Sequence, residues 1–264
     1  MLKICLAGAA GRMGNAVIAE AILKGYQIVG AIEEPNSNSI GKSLRELGLA
    51  NSETKILSSD KLQQAAQDAD VYISFTLPAA EIENIPVIVG LRKRIVLGTT
   101  GLSSEQNRQV ISAMSGKVPA VYSPNYSVGI NILFKLAESL NVFPSNYDFS
   151  LSEIHHTGKK DAPSGTAKKL EQIITQIRGY KKTIYSRVGG TPRQPDELES
   201  VALRVGGVAG IHNIIVAGPN EMLRIEHIAF SRNVFAQGAV FAAEWLSRQT
   251  DPKVYTMADV LGLI

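Results

Sequence analysis

Apolar residues fall along the first half of the chain in two alternating rhythms. Short apolar runs at Leu2–Ala7, Gln27–Ile32, Val71–Phe75, Ile95–Leu97 and Ala120–Tyr122 predict buried strands. Between them, Met13, Val17, Ala21 and Ile22 recur at helical spacing, and Gly25 is placed to stop that helix. Further helical segments are predicted around Lys61–Gln67 and Glu105–Met114. Strand and helix in alternation imply parallel strands joined by crossover helices. The rhythm changes after the middle of the chain. Asp148–Ile154 predicts a strand and Thr166–Ile177 a helix. Val201–Val205 and Ile211–Ala217 are β-rich, and Gly218-Pro219-Asn220-Glu221 forms a turn before Met222–Phe230. That pattern predicts a mostly antiparallel sheet. Val234–Leu246 is helical again. The expected fold class is α/β, with a parallel-sheet domain over 1–126, completed by 235–264, and a mixed α+β domain over 127–234.

The first strand runs into GAAGRMG, with glycines at Gly8, Gly11 and Gly14. This is a variant of the G-x-G-x-x-G turn between a strand and a helix that holds a dinucleotide. Glycines let the backbone approach a pyrophosphate, and a helix start offers unpaired N–H groups. Gly8, Ala9, Ala10, Gly11, Arg12 and Met13 are the candidate contacts, Arg12 adding positive charge. A glycine turn alone is also an ordinary connection. Glu33, ending the second strand about 20 residues beyond the turn, is placed to accept from ribose hydroxyls. Glu34 follows it, so a 2′-phosphate would face two carboxylates, and NADH is expected to be preferred over NADPH. Lys42 and Arg45 lie downstream and would weaken that preference if they swung in. Phe75-Thr76 and Gly98-Thr99-Thr100 end two further strands at the same sheet edge, where ligands bind in such folds. Ser123-Pro124-Asn125-Tyr126 ends the next and enters the second domain. Hinges are expected near Tyr126–Gly129 and Ser231–Phe235.

The densest chemistry lies in EIHHTGKKDAPSGT, Glu153 to Thr166. Two of the four histidines and two lysines share this run. Ser164, Gly165 and Thr166 open a helix, a place for simple capping or for holding a carboxylate. His155, His156 and Lys159 are expected to converge on the same anion or to donate a proton. Metal binding by the histidines with Glu153 is the weaker reading. Adjacent strand residues face opposite ways, and His212 and His227 are far off in sequence. Those two are expected to be strand or interface histidines, and Lys160, Lys168 and Lys169 solvated.

Composition narrows the classes. The chain has 264 residues, 45% hydrophobic and 19% charged, as a globular protein does. A net charge of +3 fits a small anionic ligand better than nucleic acid. The single cysteine, Cys5, excludes an internal disulfide and is expected in the core. No apolar run reaches the about 18 residues of a membrane span. The first residues read as a strand rather than a leader, so the cytoplasm is the expected location.

The run E-[hydrophobic]-H-H-x-x-K-x-D-A-P-S-G-T-A resembles the signature of the dihydrodipicolinate (4-hydroxy-tetrahydrodipicolinate) reductase family of lysine and diaminopimelate biosynthesis. GAAGRMG, FT, GTTG, SPNYSVGIN and HIAFSRNVFAQGA fall in the family's order, so the resemblance spans essentially the whole chain. It implies a Rossmann-like domain with a second substrate-binding and tetramerisation domain. It implies NAD(P)H-dependent reduction of a cyclic unsaturated dicarboxylate, a small-molecule substrate, by a homotetramer; from composition and spacing, no nucleic-acid, membrane or metal partner is expected. His155 matches the family's acid/base histidine and Lys159 its proton donor, while His156, Gly165 and Thr166 match substrate contacts. Ser164 and Thr100 are counted beside those contacts. Gly8–Met13, Glu33, Gly98–Thr100 and Ser123–Tyr126 match the cofactor contacts. Many members carry a basic residue where this chain has Glu34, and Ser123-Pro124 departs from the small residues common there. Two rivals stay open: a different nicotinamide dehydrogenase of an amino or keto acid, and a non-catalytic NAD sensor.

Overall fold

The computed structural model describes residues 1–263. The strands in chain order are β1 (Lys3–Ala7), β2 (Gln27–Glu33), β3 (Ile56–Ser58), β4 (Val71–Ser74), β5 (Arg94–Leu97) and β6 (Ala120–Tyr122), then β7 (Asp148–His155), β8 (Lys182–Ile184), β9 (Glu197–Arg204), β10 (Gly210–Ala217), β11 (Met222–Ala229) and β12 (Val254–Tyr255). The helices are α1 (Arg12–Leu23), α2 (Leu62–Ala66), α3 (Pro78–Gly90), α4 (Ser104–Met114), α5 (Val128–Ser139), α6 (Gly165–Arg178), α7 (Asn233–Leu246) and α8 (Met257–Leu261). The chain divides into two compact units. One is Met1–Ser127 together with the chain from Asn233 onward, and the other is Val128–Arg232. No helix among the described residues is long and apolar enough to cross a membrane.

The first unit is built on a seven-stranded parallel sheet in the order β12-β6-β5-β4-β1-β2-β3. Strand residues alternate between its two faces. Ile4 and Leu6 point to a core shared with Val17 and Ile18 of α1 and Ala239 and Val240 of α7. Cys5 and Ala7 point to the opposite core, with Ile85 and Ile88 of α3 and Met114 of α4. Helices on both faces explain why these strands read as unbroken apolar runs. Cys5 is fully buried, and burial pushes its thiol up to about 12 against the opposing charge of Lys93.

Two helices lie where the hydrophobic pattern predicts none, α3 and α5. Pro86 sits inside α3, where it lacks an N–H and reads as a breaker. The buried Ile85 and Ile88 hold the helix in place despite it. The short β3, β8, β12 and α8 are likewise unpredicted, being two to five residues long.

The second unit has a five-stranded sheet in the order β11-β10-β7-β9-β8. It is mixed rather than mostly antiparallel as the sequence predicts. β10 pairs antiparallel with β7 and β11, but β9 pairs parallel with both β7 and β8. The physical reason is α6, which returns the chain after β7 so that the following strands run in the same direction. One face of this sheet is graded. At one end, Phe149 and Leu151 of β7, Leu198 of β9 and Ile214 and Val216 of β10 pack with Leu133 of α5 and Leu170 and Ile174 of α6. At the other end, the same alternation turns inward Glu153 and His155 of β7 and His212 of β10.

Candidate active site

In the first unit the glycine turn is built for close backbone approach. Gly8 has φ +73°, and a Cβ on it would lie 2.6 Å from the carbonyl oxygen of Phe75. A Cβ on Gly14 would lie 2.1 Å from the Gly8 oxygen, so α1 can rise against the turn only with glycine there. Gly8 and Ala9 donate their N–H groups to the Ile32 carbonyl at 3.1 and 3.2 Å. Ala10 donates to Glu33 Oε1 at 2.7 Å. The acidic residue at the end of β2 and the glycine turn are thus one hydrogen-bonded unit. Gly11 is the N-cap of α1, without a side-chain cap, and Arg12 and Met13 open the helix. Arg45 is tied to Glu53 at 2.5 Å and to Asn51 at 3.0 Å, while Lys42 is exposed.

The strand-end threonines are fixed by a carboxylate that the sequence pattern does not flag. Glu81, in the first turn of α3, is fully buried. Its Oε1 accepts the hydroxyls of Ser74 at 2.6 Å, of Thr99 at 2.5 Å and of Thr76. Thr99 Oγ1 in turn accepts the Thr76 N–H at 2.9 Å. Phe75 covers Gly98, where a Cβ would meet the ring at 2.1 Å. Thr100 is exposed. Tyr126 is buried with its hydroxyl between the carbonyls of Leu97 and Val121 at 2.9 and 3.0 Å. Its side chain is therefore core, and Gly238 of α7 is pressed so close that a Cβ would lie 1.7 Å from its carbonyl oxygen. Ser123 is also turned inward, donating to the Asn125 carbonyl at 2.7 Å, and Pro124 is exposed.

In the second unit the end of β7 gathers the polar side chains. Glu153 is 1% exposed, and its Oε1 accepts from Arg204 and from the Ser164 N–H, both at 3.0 Å. Its Oε2 faces His155 Nδ1 at 3.5 Å and His212 Nδ1 at 3.9 Å. The two imidazoles meet edge to face with centroids 5.1 Å apart. Burial is the main reason that His155 is held down to about 4; Glu153 opposes it, and the charges of Lys159 and Arg204 add to it. Burial, then His155 and His227, hold His212 down to about 3. Both rings are neutral near pH 7. Lys159 Nζ donates to Asp161 at 2.7 Å, and its side chain is partly exposed. Burial alone would raise the Asp161 carboxyl, but the hydrogen bond and charge of Lys159 hold it below its usual range. Arg232 lies 3.0 Å from His156 Nε2. A guanidinium only donates, so this nitrogen accepts and His156 is neutral with its proton on Nδ1.

Ser164 caps α6 by accepting the Ala167 N–H at 3.1 Å, so its hydroxyl and N–H both work within the unit. Gly165 and Thr166 form the first turn behind it. Lys160, Lys168 and Lys169 are exposed.

Three residues of this cluster escape sequence reasoning. Arg204 is one, and its signal is that it ends β9 directly beside His155 in register. His212 is another, taken as a strand histidine because of its distance along the chain. Antiparallel pairing of β10 with β7 places it opposite Glu153 and removes that distance. Arg232 carries no signal short of the fold. Glu153, His155 and His212 bring ligand-capable atoms within 4.8 Å of one another. The charges of Lys159 and Arg204 act on the same histidines and oppose a dication there, while Glu153 and Asp161 act on His155 with the opposite sign.

Comparison with known proteins covers both units. The family description "Dihydrodipicolinate reductase, N-terminus" matches residues 2–126, and "Dihydrodipicolinate reductase, C-terminus" matches residues 129–261. The chain is 40% identical to a 4-hydroxy-tetrahydrodipicolinate reductase of Methanosarcina mazei, over 100% of both chains. It is 39% identical to a protein of the same name from Aquifex aeolicus, over 99% of both. Among solved structures, a dipicolinate-bound dihydrodipicolinate reductase from Paenisporosarcina sp. TG-14 is similar in fold, with TM-score 0.72, 22% identity and coverage of 98% and 99%. An amine dehydrogenase from Mycobacterium smegmatis is also similar in fold, with TM-score 0.67, 12% identity and coverage of 97% and 95%. With both halves matched and relatives near 40% identity along its full length, this chain belongs to the dihydrodipicolinate reductase family.

Proposed function

We propose that this oxidoreductase reduces dihydrodipicolinate, supplied as 4-hydroxy-tetrahydrodipicolinate, to tetrahydrodipicolinate in lysine and diaminopimelate biosynthesis. Family membership supports the reaction. The observation that supports its placement in this chain is the end of β7, where His155 and Arg204 meet the buried carboxylate of Glu153, with Lys159 paired to Asp161 and Arg232 beside His156. A dianionic substrate needs such a site. Reduction adds one hydride and one proton, and negative charge builds on the conjugated system before the proton arrives. Fixed positive groups favour that build-up.

The glycine turn fits NAD(P)H, because Gly8, Gly11 and Gly14 let the end of β1, the turn and the start of α1 pack closer than any Cβ would allow, as the tight strand-turn-helix of a dinucleotide site requires. When bound, the nicotinamide supplies the hydride. Gly8, Ala9, Ala10, Gly11, Arg12 and Met13 would hold the pyrophosphate, Glu33 the ribose, and Phe75, Thr76 and Gly98–Thr100 the nicotinamide end. Ser123–Tyr126 would contribute through its backbone, since the side chains of Ser123 and Tyr126 are engaged internally. NADH is preferred over NADPH in this reading, because Glu33 and Glu34 stand together. Lys159 donates the proton, and His155 works beside it in acid/base exchange. His156, Gly165 and Thr166 grip a ring carboxylate, with Ser164 shaping the turn that presents them and Thr100 as a further contact.

The enzyme is proposed to be a cytoplasmic homotetramer. The outward face of the second sheet supports self-association, since Val201, Leu203 and Ile228 are exposed there and Phe230 just beyond it is 95% exposed. The reading is tested by generating substrate in situ from pyruvate and aspartate semialdehyde with the synthase. Loss of nicotinamide absorbance is then followed with NADH and NADPH separately. Rapid oxidation, faster with NADH, is expected. No oxidation with either cofactor, while NADH still binds, would overturn it.

A further inference from the structure

Among the buried atoms that lack a hydrogen-bond partner are three at the end of β7 and on β10: Glu153 Oε2, His155 Nδ1 and His212 Nδ1. They face one another. Buried polar atoms are rarely left unsatisfied, and a gap of 3.5 Å closes to a hydrogen bond with a small shift. A carboxylate oxygen only accepts. Glu153 Oε1 is already held by Arg204 and the Ser164 N–H, and that grip fixes where Oε2 points. Any bond from His155 to Oε2 must therefore carry its proton on Nδ1, leaving Nε2 as the exchanging nitrogen.

Space is kept in front of that second nitrogen. Gly210 stands opposite His155 on β10, and a Cβ there would lie 3.2 Å from His155 Nε2. His212 packs against the ring edge to face and aims its own Nδ1 at the same carboxylate oxygen. The groups acting on His155 are Glu153, Lys159, Asp161 and Arg204. Only the carboxylate of Glu153 faces its Nδ1.

We propose that Glu153 is a positioning residue that fixes His155 in the Nδ1–H tautomer, with His212 as the wall that packs edge to face against the ring. This rests on the reading of His155 as an acid/base group, and it adds what sets that group's orientation. The carboxylate acts only as the acceptor that orients the ring. Such an arrangement leaves Nε2 able to take and return a proton without the ring turning.

The test is long-range 1H–15N correlation of the imidazole nitrogens in the resting full-length protein, which has only four histidines to assign. His155 in the wild type is expected to carry its proton on Nδ1. In Glu153→Gln that signature is expected to be lost. Turnover should drop about 100-fold, the low end of an acid/base contribution, while NADH affinity stays within about twofold. His212→Leu leaves the carboxylate in place, so the Nδ1 proton should remain. A wild-type His155 protonated on Nε2 alone would overturn the proposal, whether or not Glu153→Gln folds. So would an unchanged tautomer in folded Glu153→Gln. The tautomer is read without turnover, so an inactive wild type would count against the reductase reading and not against this one.

Discussion

Glu81 in the first unit and Glu153 in the second are both fully or almost fully buried, and each sits beside the start of a helix, α3 or α6. Their partners differ in kind. Glu81 is held by three hydroxyls on short side chains, which tie the ends of β4 and β5 together. Glu153 is held by a guanidinium and a backbone N–H, and faces two imidazoles. Hydroxyl donors are neutral, so the Glu81 cage is a frame of short-range hydrogen bonds. Glu153 instead meets the fixed charge of Arg204 and two imidazoles, the groups here that gain charge in acid. One carboxylate fixes a frame, and the other sits in the cluster proposed to carry the chemistry. The exposed surfaces agree, because in the first unit backbone and small residues face the proposed cofactor, and in the second charged side chains gather.

Breaking the second carboxylate should have the larger effect on stability. Glu153→Ala leaves Arg204 facing a buried void, and a loss of about 3–5 kcal/mol is expected in denaturant unfolding, with NADH affinity kept. Glu81→Ala strands three hydroxyls that can partly reorient, so about 2–3 kcal/mol is expected, now with weaker NADH binding as Thr76 and Thr99 loosen. Glu81→Gln keeps an oxygen acceptor for those hydroxyls, and about 1 kcal/mol is expected.

Acid sharpens the contrast further. His155 and His212 are held down to about 4 and about 3, below the ordinary value of 6.5. Between those values the unfolded chain binds protons that the native chain does not, so stability falls as pH falls through the window from about 6.5 to about 4. Thermal unfolding at pH 7 and pH 5 should show this fall, and His212→Leu should show a smaller one. The smallest effect on stability is expected from Lys159→Ala. Its partner Asp161 is exposed, and such pairs contribute about 0–1 kcal/mol, so melting should scarcely move.

Much of this was legible in the sequence where local pattern decides structure. The strand, glycine turn, helix, strand and Glu33 appear in the predicted order because each is fixed by neighbours along the chain. The motif from Glu153 to Thr166 likewise shows its histidines and lysine openly. What was hidden depends on pairing at long range. Arg204 and His212 join Glu153 only through the registers of β9 and β10 with β7. Glu81 reads as a helix-face acid until the ends of β4 and β5 enclose it. The parallel β9 was misread because direction depends on where α6 returns the chain, which a strand's own residues do not encode. Pro86 hid α3 for the opposite reason, since a strong local signal was overruled by burial of Ile85 and Ile88.

The most direct measurement is turnover of Lys159→Ala on synthase-generated substrate, with the NADH dissociation constant taken on the same sample. The account predicts a fall in turnover of roughly 100- to 10,000-fold, with NADH binding and melting temperature unchanged. Turnover near the wild-type rate would contradict the assignment of the proton donor, and with it the claim that the charged end of β7 carries the chemistry.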